Sequence, residues 1–327
     1  LATGRPIENP EARYEKTGKL YMANPSALGA HNWHPMSYNP ATGLVYIPAQ
    51  QLGGAYMPPM APNEQGRSSM GFNTGGAIAT ADVPDDFNMV KAIQAVTTGQ
   101  LVAFNPKTGK AQWTVNYPTP WNGGTMTTAG NLVFQGDAMG KFNAYAADTG
   151  KLLYSLDVQS GVLTGASTYL VDGEQYVAFM TSKGGAFPLV SGYVSGASQE
   201  VPNIPRLVVL KLGAKGKLPP LPPAEEWVWN PPAQFGSPEL IAAGQSNYQR
   251  YCLVCHAPGA VGSGVLPDLR KSGTIADAAT FKVHPFNGRA SDAVRDLDAL
   301  DVRGVSVNGY FVRGNRFVGP GCDVNVV

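Results

Sequence analysis

Five residues late in the chain carry its most specific chemistry. Cys252-Leu253-Val254-Cys255-His256 is a Cys-x-x-Cys-His stretch, the attachment pattern of c-type haem. The two thiols add to the porphyrin vinyl groups and the histidine ligates the iron. On a helix, residues three and four apart share one face, so Cys252, Cys255 and His256 can all meet one flat ring. A zinc half-site and a thioredoxin-like redox pair are the alternatives. Zinc needs four ligands, and the chain has no second Cys-x-x-Cys. A redox pair needs no following His and opens a βαβ unit, which the surrounding pattern lacks. The reading is covalent haem c with His256 as the metal ligand. The third cysteine, Cys322, then has no intrachain disulfide partner. Because covalent haem attachment occurs outside the bacterial cytoplasm, an exported parent with its leader upstream is expected, periplasmic or on the periplasmic face of the inner membrane.

A helix must bring these residues to the haem. Ser237-Pro238-Glu239 starts one, with Ser as N-cap and Pro at the first helical position. Leu240, Ala243, Tyr248 and Tyr251 give it a partly apolar face that runs into the motif. Before it, residues 213–235 form a linker. Leu218-Pro219-Pro220-Leu221-Pro222-Pro223 is extended and semi-rigid; Trp227, Trp229 and Phe235 either pin it onto a domain surface or, the preferred reading for the two Trp, simply cover apolar surface.

From Leu1 to about Lys211 the pattern is short strands and turns. Ala103 to Trp113 aligns with Ala144 to Tyr154, matching Thr108-Gly109 to Thr149-Gly150. A fainter copy runs from Tyr38 to Tyr46 around Thr42-Gly43. Each copy reads strand, Thr-Gly turn, strand. A spacing of about 40 residues with this content is the pattern of β-propeller blades. Three to four blades are expected, fewer than closed propellers usually have, so a preceding half is expected. Met57-Pro58-Pro59-Met60-Ala61-Pro62 and the polar tract to Gly76 read as a long loop inserted in a blade.

The totals agree with two domains. The chain has 327 residues, 43% hydrophobic, with 39 Gly and 27 Pro, which suits a β-rich, turn-rich fold. A net charge of +1 gives no electrostatic case for nucleic acid or an anionic membrane surface.

Residues 1 to about 282 resemble the C-terminal part of a PQQ-dependent quinohaemoprotein alcohol dehydrogenase. The carrying stretches are Gly29-Ala30-His31-Asn32-Trp33-His34-Pro35-Met36, Thr42 to Gln50, Trp121-Asn122-Gly123-Gly124-Thr125, Tyr176 to Met180, Gly184-Gly185-Ala186-Phe187 and Gly264 to Arg270. The resemblance implies part of an eight-bladed quinoprotein propeller over residues 1–212, then a small all-α cytochrome c domain over 236–327. It makes the Thr-Gly repeats tryptophan-docking motifs, with Tyr154 in the place of one Trp. It implies pyrroloquinoline quinone and calcium near the propeller axis, a primary alcohol as substrate, and electrons passing to haem c. Beyond it the acceptor would be a soluble copper protein, a cytochrome or a membrane quinone pathway. Asn32 and Trp33 match the pair that contacts the quinone, and Ala186 sits where a backbone group approaches it. Pro267 matches the proline whose carbonyl orients the axial histidine. His31 and His34, without a third ligand, are structural.

Two departures stand out. The family's aspartate base and calcium ligands have no counterpart here, so no catalytic residue is named and the chain alone is not expected to oxidise alcohols. The family's methionine iron ligand is also absent: no Met follows Met180. From about Val283 the resemblance stops. A shifted reading frame near Lys282, a variant with His284 or Cys322 as sixth ligand, and a vacant sixth site are the three readings of that tail. Residues 290–304 have helical character. The competing function is a non-catalytic propeller–cytochrome protein for electron transfer or binding.

Overall fold

The computed structural model describes residues 4–56, 87–184, 201–223, 236–251, 268–272 and 324–326, together with Phe187, Ser198, His256 and Ala260. Three four-stranded sheets dominate the described residues. The first blade is an antiparallel meander of β2 (Ser37–Asn39), β3 (Leu44–Gln51), β5 (Thr98–Asn105) and β6 (Lys110–Tyr117). The second contains β7 (Thr125–Thr128), β8 (Leu132–Gly136), β9 (Lys141–Ala146) and β10 (Leu152–Asp157). The third contains β11 (Ser167–Val171), β12 (Glu174–Thr181) and β13 (Arg206–Lys211), with β14 (Val324–Val326) parallel beside β13. The tail residues of β14, grouped by sequence with the haem segment, thus complete a blade. A two-stranded ribbon of β1 (Tyr21–Ala23) and β4 (Gly54–Tyr56) stands apart. Among the described residues, three α-helices have defined ranges: α1 (Tyr14–Thr17), α2 (Phe87–Val96) and α3 (Pro238–Tyr251).

The Thr-Gly turns share one mechanism. The amides of Gly43, Gly109 and Gly150 donate to the carbonyls of Asn39, Asn105 and Ala146, four residues back, at 2.8–2.9 Å. Each glycine has φ between 67° and 73°, a conformation that costs a residue with a Cβ. Asn39 and Asn105 reinforce their turns by accepting from the amides of Ala41 and Lys107. The first turn nevertheless occupies another place in its blade. Thr42-Gly43 joins the first and second strands, whereas Thr108-Gly109 and Thr149-Gly150 follow the third. It is a local hairpin of the same chemistry, not a third copy in register. Between β3 and β5 lie β4 and α2, so blade 1 does carry an insertion; its Met57–Gly76 part lies outside the described residues.

Alternation along the strands builds the core. In β3, Leu44, Tyr46, Pro48 and Gln50 are buried and their neighbours half-buried. Tyr46, Leu101 and Ala103 of blade 1 pack on Val133, Tyr145 and Ala147 of blade 2. Phe134 and Phe142 of blade 2 pack on Val177, Phe179 and Val208 of blade 3, with Phe142 and Phe179 stacked at 3.8 Å. Trp113 on β6 locks the first junction: its Nε1–H donates to Ala147 O at 3.1 Å. Its ring lies so close over Gly150 that a Cβ there would meet Cδ2 at 2.7 Å. The repeat partner Tyr154 is 47% exposed and makes no such dock.

The faces of the outer two blades turned away from blade 2 are part apolar and part polar, with Gln100 and Asn116 on that of blade 1 and Glu174 and Lys211 on that of blade 3. Pairing puts Tyr38, Val45, Ile47, Val102 and Phe104 on one face of blade 1. Tyr169, Tyr176, Met180 and Leu207 share the corresponding face of blade 3. Tyr38, Tyr169 and Met180 are exposed.

Past residue 223 the described residues comprise α3, a 3₁₀ turn at Leu269–Lys271, the isolated residues His256 and Ala260, and β14. They do not amount to an all-α domain. Helix α3 starts as expected, with Ser237 Oγ accepting from Leu240 N at 3.3 Å. The pinning role of Trp227, Trp229 and Phe235 falls outside the described residues.

Candidate functional site

Three loops meet at one end of the strands. The first, residues 26–36, leads into β2. Gln50 holds it by donating through Nε2 to Leu28 O and Gly29 O at 3.0 and 2.8 Å. His31 Nδ1–H donates to Pro48 O at 2.7 Å, which fixes its tautomer because a carbonyl only accepts. The second is Trp121–Gly124 between β6 and β7. Asn122 ties it down, donating to Thr119 O and accepting from Ala138 N. Pro35 of the first loop fits where a Cβ on Gly124 or Gly165 would stand, 2.4 and 2.8 Å from its ring. These glycines are needed for contact, and their backbone brings the loops together. The third follows β12 and contributes Phe187.

Rings from all three loops form one chain of contacts. Trp33 stacks on His34 at 4.4 Å and 22°, His34 meets Trp121 edge-on at 4.9 Å and 82°, and Trp121 stacks on Phe187 at 6.3 Å. Leu28, Leu52, Ala138 and Leu163 surround the inner rings. Trp33 is 52% exposed, so one end of the chain is open. By residue type alone Trp33 reads as a core aromatic; its exposure corrects that. His34 is 4% exposed, and burial, with neighbouring His31 in second place, lowers its pKa from 6.5 to about 4. It is therefore neutral at pH 7.

Asn32 is more committed than its residue type implied. Its Nδ2 donates to Leu28 O at 2.7 Å and its Oδ1 accepts from Trp33 N at 2.8 Å. One amide N–H and one lone pair remain for a ligand. Ala186 lies outside the described residues; Lys183, three residues earlier in the sequence, is buried, and burial lowers its amine pKa from 10.5 to about 8. The buried carboxylate Asp137 accepts from the amides of Met139 and Lys141 and from Asn143 Nδ2, so it is used up in stabilising the β8–β9 turn. Burial raises its pKa.

For haem, His256 is helical and half-buried, five residues after the last residue of α3. Cys252, Cys255, Pro267, His284 and Cys322 lie outside the described residues. Among the described residues no three His, Cys, Asp or Glu side chains form a metal site. The donor chemistry of the motif fits haem c, and the open indole of Trp33 fits a flat quinone. Residue-type reasoning missed the His34–Trp121 contact, and the positive φ of Trp121, 61°, had no local signal. The two glycines after Asn122 were the available hint of tight loop packing.

Stacked four-stranded blades with an aromatic site at one end define a quinoprotein-type propeller. The family model for the glucose/ethanol/alcohol dehydrogenase β-propeller domain, which carries PQQ, matches residues 8–177, and the chain belongs to this family. It is 44% identical over 280 residues to quinohemoprotein alcohol dehydrogenase ADH IIB of Pseudomonas putida, covering 83% of this chain and 38% of that protein. With the dehydrogenase subunit of alcohol dehydrogenase (quinone) from Acetobacter aceti it shares 36% identity over 91% of this chain and 40% of the relative. The solved structure of ADHIIG from Pseudomonas putida HK5 superposes with a TM-score of 0.74 at 37% identity, covering 94% of this chain and 44% of that one. The Comamonas testosteroni quinohemoprotein alcohol dehydrogenase gives 0.65 at 32% identity, with 92% and 44% covered. The chain thus spans about two fifths of the length of these relatives.

Proposed function

We propose that this chain supplies blades and a haem c segment to a periplasmic quinohaemoprotein that oxidises primary alcohols with PQQ. The observation that carries the reading is the open Trp33 indole, held flat by His34 beside Asn32. When bound, PQQ supplies hydride acceptance, calcium supplies Lewis acidity, and haem c supplies one-electron transfer to a copper protein, a cytochrome or a quinone pathway. This chain's residues would do the holding. Trp33 offers an apolar face to the flat ring, and the spare N–H and lone pair of Asn32 orient its polar edge. Ala186 lets backbone approach the same ligand. Cys252 and Cys255 would tether the haem, with His256 on the iron.

The base and the calcium ligands would come from further blades. Support for those blades is the group of apolar residues on each outer face, Tyr38, Val45, Ile47, Val102 and Phe104 on one and Tyr169, Tyr176, Met180 and Leu207 on the other, of the types buried at the inner junctions. The extent of the haem segment, from 236 after a linker at 213–235 and excluding β14, belongs to the same proposal.

The test is export of this chain with c-type maturation, alone and with the N-terminal region of a Pseudomonas putida relative. The expected result is covalent haem in both preparations and PQQ-dependent alcohol oxidation only in the second, abolished by Trp33→Ala. No covalent haem, or oxidation indifferent to Trp33→Ala, refutes the reading. Carbon monoxide binding to the reduced haem distinguishes an open sixth site from ligation by His284 or Cys322.

A further inference from the structure

We propose that His34 is a positioning residue whose imidazole, clamped between Trp33 and Trp121, sets the plane of the Trp33 indole. The inference rests on the quinone-site reading for its functional consequence, and on geometry alone for the positioning. Trp33 is 52% exposed, and among the described residues its ring stacks on His34, at 4.4 Å and 22°. Its backbone amide is fixed by Asn32 Oδ1, but that bond leaves the side-chain torsions free. Stacking therefore has to hold the ring. His34 is held in turn. It is 4% exposed, it meets Trp121 edge-on at 4.9 Å, and Trp121 lies flat on Phe187.

Three costs are concentrated in this clamp. Trp121 adopts φ 61°, a left-handed conformation that bulky residues rarely take. His34 Nε2 and Trp121 Nε1 are both buried without a hydrogen-bond partner among the described residues. Such costs persist where the surrounding structure demands a particular geometry, and they cluster at ligand clamps. Asn122 and the close packing of Gly124 on Pro35 impose that geometry here. The indole plane is thus decided by His34 of its own loop together with Trp121 from the facing loop.

The experiment compares wild type with His34→Ala, His34→Leu and His34→Phe in the full chain, using Trp33→Phe to isolate the Trp33 signal. Near-ultraviolet circular dichroism and acrylamide quenching read the indole plane, and quenching of fluorescence by added PQQ reads binding. We expect Ala and Leu to collapse the Trp33 dichroism and to raise its quenching, with Phe restoring both. PQQ affinity should fall by up to about tenfold in Ala and Leu, the equivalent of one lost aromatic stack. Leu fills the space without stacking, so it separates positioning from folding. Unchanged Trp33 dichroism in Ala, or Leu equal to Phe, overturns the proposal. If the dichroism behaves as expected but wild type, assembled with the N-terminal region of a Pseudomonas putida relative, does not respond to PQQ, the positioning holds and the quinone-site reading falls.

Discussion

The carbonyl of Ala147 joins the first two blades. It accepts from Tyr46 Oη at 2.8 Å and from Trp113 Nε1 at 3.1 Å, and Ala147 and Tyr46 are both 0% exposed. Tyr46→Phe removes one donor and leaves the ring in place, so a loss of about 1 kcal/mol is expected. Trp113→Phe removes the other donor and some volume over Gly150, for a loss of about 2–3 kcal/mol. Each single variant leaves the carbonyl with one partner. The double variant leaves it buried with none, a penalty of about 1–3 kcal/mol that neither single change carries. The double loss should therefore exceed the sum of the singles by at least about 1 kcal/mol. Urea unfolding of the four proteins at fixed pH measures this. Additivity to within about 0.5 kcal/mol would refute the shared-acceptor account.

Other expectations follow from the same structure. His34 has its pKa lowered from 6.5 to about 4, so the unfolded chain binds a proton in that window that the folded chain refuses. Stability should fall as pH drops from 6.5 to 4, by up to roughly 3 kcal/mol, and His34→Phe should remove that component from a pH series of urea midpoints. Gly124→Ala places a Cβ 2.4 Å from the Pro35 ring and should cost more than about 2 kcal/mol. Gly43→Ala, with open space and φ 69°, should cost only about 1–2 kcal/mol, and thermal melts compare the two. Phe142→Ala removes the middle ring of the Phe134–Phe142–Phe179 stack and should cost about 3–5 kcal/mol in the same assay.

The amino-acid sequence by itself determined what depends on neighbours along the chain. The Thr-Gly turns were legible because a left-handed glycine and a four-residue hydrogen bond are local properties. The start of α3 was legible because Ser237 and Pro238 satisfy the requirements of a helix N-terminus without help from the rest of the fold. The haem motif is likewise a matter of residue type and spacing. Tertiary structure alone decided what depends on which blades stack. It placed Thr42-Gly43 between the first two strands of its blade, although the turn itself matches the other two. It left Trp33 half-exposed and Tyr154 undocked, while Trp113, the repeat partner of Tyr154, reaches across a blade junction. It spent much of the hydrogen-bonding capacity of Asn32 on its own loop. It brought His34 against Trp121 and Phe187 from distant loops. Burial is a property of the assembled junction, so the same residue type becomes core, dock or ligand platform according to the blade that faces it.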